Sequence, residues 1–251
     1  MTESSEARSH ESKTPQGPEP PELRERGGDR DGQPQYSDRR LFMQFHAFTG
    51  CANANAVADA MAAAGLPGAV YEDALDPAGV GLATYSEAPA FFLDRLRPLL
   101  QQAPFDRMQH RPEYTMFGRT YAIGYEPDLD ETLLHRPMRT LVNADWPWAV
   151  WYPLRRRGEF ETLPADRQRE ILKEHGRIGF SFGRAGVASD IRLACFGLDR
   201  ADNDFVIGLF GPELHPLSAL VAAMRKTVQT SQYIERLGPF FVGRKLWQKA
   251  S

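Results

Sequence analysis

One histidine is placed where an imidazole can do chemistry. His175 lies in the run 163–179, where Pro164 can occupy a first helical turn and Asp166 and Glu170 follow it. Ile171, His175 and Ile178 fall at i, i+4 and i+7, so the imidazole shares the apolar stripe of the helix. A ring on that stripe needs partners for both nitrogens. It is either a hydrogen-bonded core histidine or a ligand to something bound beside the helix. Tyr152 is the second residue of interest. It closes the strand-like run 148–152 just ahead of Pro153 and a cluster of arginines, Arg155, Arg156 and Arg157. Its residue type and position alone are those of a half-buried strand aromatic.

These residues are carried by elements that read as the same unit twice. In the first half, 41–48 is a strand and 53–64 an alanine-rich helix ended by Gly65 and Pro67. Strands at 69–71 and 80–85 follow, separated by the turn residues 76–79, then a helix over 89–100 and a strand over 114–121. In the second half, 148–153 is a strand and 164–180 a helix. Strands at 191–198 and 205–210 flank the hairpin signal 199–203, followed by a helix over 215–227 and a strand over 239–243. The fold class is therefore α+β, as two consecutive ferredoxin-like βαββαβ units. Each unit has one sheet face covered by helices and one apolar face to bury, so the two sheets should close on each other as a barrel. The expected divisions are a disordered tail over 1–38, an N-terminal half over 39–125, a connecting segment over 126–145 and a C-terminal half over 146–251.

Composition narrows the function classes. The chain has 251 residues, is 42% hydrophobic and 25% charged, and has a net charge of −3, which argues against a nucleic-acid footprint. The first 38 residues have no aliphatic residue between Leu23 and Leu41, too little to offset the entropy of ordering. They lack the apolar core of a secretory signal. No run approaches the roughly 18 apolar residues of a membrane span. Cys51 and Cys195 are the only cysteines and show no metal-type spacing. The expectation is a cytoplasmic protein with two free thiols.

The C-terminal half carries a series of motifs in order. Trp151-Tyr-Pro-Leu-Arg-Arg-Arg-Gly158 comes first, then His175-Gly176, then the strand pair around Phe196-Gly-Leu-Asp199. Met224-Arg225 and Ser231 follow, and finally Gly238-Pro-Phe-Phe-Val-Gly-Arg244. Over about 146–247 this series resembles the chlorite dismutase-like superfamily of haem proteins, most closely its coproheme decarboxylase branch. Residues 40–125 share only the expected element pattern.

That resemblance implies a pentacoordinate haem site. Such a site needs one imidazole on iron, an apolar slot for the macrocycle, and cationic or hydroxyl groups for the propionates. It makes His175 the iron ligand. The other histidines compete poorly: His10 lies in the tail, His46 on the first strand, and His110, His135 and His215 beside loop residues. It makes Tyr152 the redox-active tyrosine of a Tyr-Pro-Met-x-Lys motif, which reads Tyr-Pro-Leu-Arg-Arg here. Arg156 thus stands where the branch has lysine; it keeps the charge and can hold a carboxylate bidentately. Arg225, Ser231 and Arg139 become further propionate-binding groups, with Tyr114 a weaker one. On the distal side the alignment puts Asp190 where relatives carry arginine or glutamine, with Arg192 two residues on and on the same strand face.

The implied activity is peroxide-dependent oxidative decarboxylation of iron coproporphyrin III (coproheme) to haem b, with hydrogen peroxide as oxidant. The alternatives are a haem-b peroxidase-like or chlorite-decomposing protein, or a haem carrier or sensor without catalysis. Porphyrin is substrate in the first reading and permanent cofactor in the second. The resemblance also implies a homo-pentamer.

Overall fold

The computed structural model describes residues 20–250. The strands are β1 (Glu25–Arg30), β2 (Gln33–Ser37), β3 (Phe42–Thr49), β4 (Gly68–Asp73), β5 (Val80–Ser86), β6 (Gln109–His110), β7 (Met116–Arg119), β8 (Trp148–Arg156), β9 (Ser189–Ala194), β10 (Phe205–Gly211), β11 (Ile234–Leu237) and β12 (Phe241–Lys249). The helices are α1 (Ala54–Ala64), α2 (Phe92–Leu96 running into Arg97–Leu100), α3 (Glu131–His135 running into Arg136–Leu141), α4 (Ala165–Arg184), α5 (Leu214–Met224) and α6 (Val228–Tyr233).

The repeat read in the sequence is present. In the first half the four main strands pair in the order β7-β3-β5-β4, and in the second in the order β12-β8-β10-β9. In both, the fourth strand of the unit lies beside the first, then the third, then the second. The edges then join, β4 to β12 and β9 to β7, and every pairing is antiparallel. The sheet is thereby closed into a barrel, which removes its open edges.

Alternation along each strand assigns three apolar layers. On β8, Ala149 and Trp151 point into the barrel, where they meet Phe45, Tyr71, Phe210 and Phe241 from both halves. Gly208 makes room for this packing: a Cβ there would stand 2.8 Å from the Trp151 ring and 2.9 Å from Phe210. Helices α1 and α2 cover the outside of the first half through Val57, Met61, Phe92 and Leu96. Val150 and Tyr152 point outward on the second half, under α4 and α5.

Four expectations are corrected. Residues 25–37 are not a disordered tail but the hairpin β1–β2, turned at Asp31 and Gly32, both with positive φ. Counting aliphatic residues missed it because polar contacts hold it; residues 1–19 lie outside the described residues. The connecting segment contains α3, whose Leu133, Leu134 and Leu141 enter the barrel core. Strand β9 ends at Ala194 rather than 198, because the Cys195 carbonyl accepts from the Leu198 and Asp199 N–H groups and the chain turns there, with Asp199 accepting in turn from the Ala201 N–H. The last strand runs to Lys249 rather than 243, because it pairs with β4 of the other half. Both cysteines are free thiols, Cys195 buried and Cys51 partly so. No described helix is long and apolar enough to cross a membrane.

Candidate functional site

Register decides which side chains share the outer face of the second half. Tyr152 pairs with Ile207, and Ile207 with Arg192. The next row is Val150, Leu209 and Asp190. Arg192 is thus two strands from Tyr152, about 10 Å at the usual strand spacing. Asp190 and Arg192 lie on that same face, as expected.

His175 approaches from the helix side. It stands on α4, which packs against α5, α6 and β9. Its Nδ1 lies 3.2 Å from Thr227 Oγ1. That hydroxyl donates its one hydrogen to the Met224 carbonyl at 2.8 Å, so toward the imidazole it accepts. The proton therefore sits on Nδ1, and the Nε2 lone pair is left to serve as a ligand. Burial pushes the imidazole pKa down to about 4, helped by the nearby Arg192 and Arg156 cations and opposed by Asp190 and Glu174. The ring is neutral at pH 7.

Tyr152 is buried and stacks on Phe240, with centroids 4.6 Å apart and planes at 29°. Burial and the Asp190 carboxylate push its phenol well above the usual tyrosine range, with Arg225 opposing, so it stays protonated. Arg156 lies over the rings of Phe160 (4.3 Å) and Phe205 (4.9 Å), and one Nη reaches Glu161 at 3.0 Å. Its Nε is buried without a partner. Asp190 bridges two cations: Arg136 Nη2 at 2.6 Å and Arg192 Nε at 3.1 Å. Thr120, Tyr121 and Ile123 complete a cleft beside them.

Not every residue singled out in the sequence converges here. Arg139 is turned away, in a bidentate pair with Glu131 and 65% exposed. The arginine that α3 presents to β9 is Arg136, one turn earlier. Ser231 is exposed, and its hydroxyl donates to the Thr227 carbonyl at 2.8 Å. Tyr114 packs against the barrel core and Phe241, in a different layer from Tyr152. Arg225 is exposed at the end of α5, within electrostatic reach of Tyr152. Asp190 is not a lone distal group, because it is tied to both arginines. Among the competing histidines, His46 is buried against His110, with ring nitrogens 3.2 Å apart, and His135 and His215 are exposed. Thr227, Arg136 and Tyr121 were not read from the sequence. Only Thr227 had a signal, as the N-cap of α6, where it accepts from the Thr230 N–H.

The donor set suits a flat apolar group carrying one metal. Of the 20 residues of α4 only Ile171 is fully buried, while Leu172, His175, Ile178 and Phe182 are half-covered. An amphipathic helix normally buries such a stripe, so α4 has apolar surface beside the imidazole for a bound group to cover. The unpartnered Arg156 Nε suits a carboxylate at the edge of that group. Among the described residues no three His, Cys, Asp or Glu side chains gather as a metal-binding group, so His175 would be a single protein ligand.

The fold is a closed barrel of two ferredoxin-like halves, with His175 and Tyr152 on the helix-covered face of the second. Residues 93–246 match the chlorite dismutase family model, so the match begins well inside the first half. The chain belongs to the chlorite dismutase family. A curated coproheme decarboxylase of Mycolicibacterium smegmatis is 27% identical over 146 residues, which is 53% of this chain and 60% of that protein. The fold is that of a haem-binding protein from Thermus thermophilus, with a TM-score of 0.63 at 20% identity over 83% of this chain and 91% of that one. It is also that of a chlorite dismutase from Candidatus Nitrospira defluvii, with a TM-score of 0.64 at 15% identity over 84% and 92% of the two chains.

Proposed function

We propose that this protein is a haem-dependent enzyme that decarboxylates iron coproporphyrin III to haem b with hydrogen peroxide. The observation that carries this reading is the His175 ring, neutral and held by Thr227 with Nε2 free, on the same face as the buried Tyr152 phenol. Bound ferric porphyrin would supply the oxidising power of peroxide. His175 would hold the iron, and the half-covered Leu172, Ile178 and Phe182 of α4 offer apolar surface beside it. Arg156, with its free Nε, binds a propionate and orients it. Tyr152 gives up a hydrogen atom and then takes one from the propionate β-carbon. In each round the propionate loses that hydrogen and carbon dioxide and becomes a vinyl group. The two electrons released reduce one peroxide to water. Arg156 in place of lysine keeps the anchoring charge. Following the family resemblance, we further propose a cytoplasmic homo-pentamer.

A second reading, a haem-b protein that decomposes chlorite or peroxide, is favoured by Arg192, a cation on the sheet facing the α4 side of the site. Asp190 offsets that charge at 3.1 Å, which favours the first reading.

The test is chromatography of porphyrins after adding peroxide to the coproheme complex. Wild type should yield the three-propionate intermediate and then haem b. Tyr152→Phe keeps the ring stacked on Phe240 and should bind coproheme but yield neither product. If wild type makes no vinyl product, the decarboxylase reading fails. Oxygen release from chlorite by the haem-b complex would then support the second reading, and haem binding without either reaction a carrier or sensor.

A further inference from the structure

The hairpin β1–β2 takes no part in the barrel: its two strands pair only with each other. An isolated two-stranded hairpin is marginal in water, so something else must hold it. Its polar ties run mainly to residues 119–127, with Arg40 Nη1 also 3.8 Å from Glu25. The Gly28 N–H donates to the Glu126 carbonyl at 2.9 Å. Gln35 Nε2 donates to Pro127 O at 3.1 Å, and Arg30 Nη2 donates to the same oxygen at 3.0 Å. Glu25 is the deepest tie, with its side chain 11% exposed. It accepts from the Ala122 N–H at 3.0 Å and from Arg119 Nη1 at 2.6 Å. Gly27 fits flush against the segment, where a Cβ would stand 3.0 Å from the Glu126 carbonyl and from Leu129.

The segment so held also folds on itself. The Glu126 carboxylate accepts from the N–H groups of Ile123, Gly124 and Tyr125 at 2.7, 2.9 and 3.0 Å. The other side of this stretch faces the site: Tyr121, Ile123 and Glu126 line the cleft that holds Arg136, Asp190 and Arg192. The Tyr121 ring leans on Phe205, 5.6 Å away, the same ring that Arg156 covers. The segment is therefore one wall of the cleft around Asp190 and Arg192, the two groups whose charges reach the His175 imidazole. Ala122 packs on the barrel core at one end and Leu129 is buried at the other, so 123–128 between them is held chiefly by polar contacts.

We propose that the β1–β2 hairpin is a strap, pinned by Glu25, that holds residues 122–129 as the wall of the site beside Arg192. Glu25 and Gln35 act as positioning residues through that segment and touch no ligand. The role at the site rests on the haem reading above; the holding of the segment does not.

The test uses full-length Glu25→Gln, which removes a charge at nearly constant shape, and Gln35→Ala, which removes a tie without touching Arg119. In ligand-free protein, hydrogen exchange of amides 122–129 should be at least 10-fold faster in both variants, with β8 and α4 unchanged. In the ferric haem-loaded proteins, cyanide should associate at least threefold faster, while the Soret band of the His175 complex stays the same. Wild-type exchange rates at 122–129 in both variants would overturn the strap. Faster exchange with unaltered cyanide kinetics would show that the segment is not a wall of the site. Should wild type take up no haem, the haem reading falls, and the exchange measurement still decides whether the hairpin holds the segment.

Discussion

Thr227→Val tests the electrostatic setting of His175 most directly. In the native chain Thr227 Oγ1 accepts from His175 Nδ1 at 3.2 Å, donates to Met224 O at 2.8 Å and caps α6. Valine keeps the shape and removes all three bonds. Losing the cap costs about 1 kcal/mol. Leaving the imidazole N–H unpaired in a mostly buried site costs a further 1–3 kcal/mol or so. A domain of ordinary stability survives that. The larger consequence concerns the ligand. Without an acceptor on Nδ1 the ring can turn or change tautomer, and Nε2 loses basicity. Removing such an outer partner typically weakens metal affinity about 10- to 100-fold. The assay is titration of ferric haem into the protein, followed by the Soret band, at a temperature where both proteins are folded. Thr227→Ser retains the hydroxyl and should stay within about threefold of wild type. If Thr227→Val binds as tightly as wild type while its melting temperature falls, the hydroxyl serves only the helix cap, and the assignment of Nε2 as the free ligand nitrogen loses its support.

Other expectations follow from particular contacts. Arg139→Ala should leave porphyrin affinity within about twofold, because Arg139 is a surface partner of Glu131, where such pairs contribute little. Arg156→Ala, by contrast, should weaken coproheme binding about 10-fold or more by removing a charged carboxylate partner, read by the same titration. Gly208→Ala should lower unfolding free energy by about 1–3 kcal/mol in urea, since the added carbon meets Trp151 and Phe210 inside the barrel. His46 is neutral in the fold, pushed down to about 3 by burial and by His110. Its unfolded form takes up a proton below about 6.5. Stability is therefore full above that pH and declines as pH falls toward the folded value. Between pH 7.5 and 5 this one group should cost roughly 2 kcal/mol. His46→Gln should remove that part of the decline in melting temperature; an unaltered slope would refute the assignment.

The sequence by itself determined the repeat, the pairing of two sheets and the line of key residues in the second half. These are readable because they rest on short-range periodicity: alternation marks strands, the i, i+4, i+7 stripe marks α4, and both recur in the same order in each half. His175 and Tyr152 were found this way, with the family motifs adding the roles. Tertiary structure decided everything that depends on which surface faces which. Arg139 and Arg136 are one turn apart on a helix the sequence reading left as connector, so only the packing of α3 on β9 selects Arg136. The tautomer of His175 depends on Thr227, 52 residues away, and on where that hydroxyl sends its own proton. The strap was missed because an apolar tally cannot see it. Its Asp31-Gly32 turn was legible, but its stability comes from carbonyls of residues 126 and 127 and from Arg119, nearly a hundred positions along the chain. Side-chain type and spacing set what each residue can do, and the closed barrel sets which of them meet.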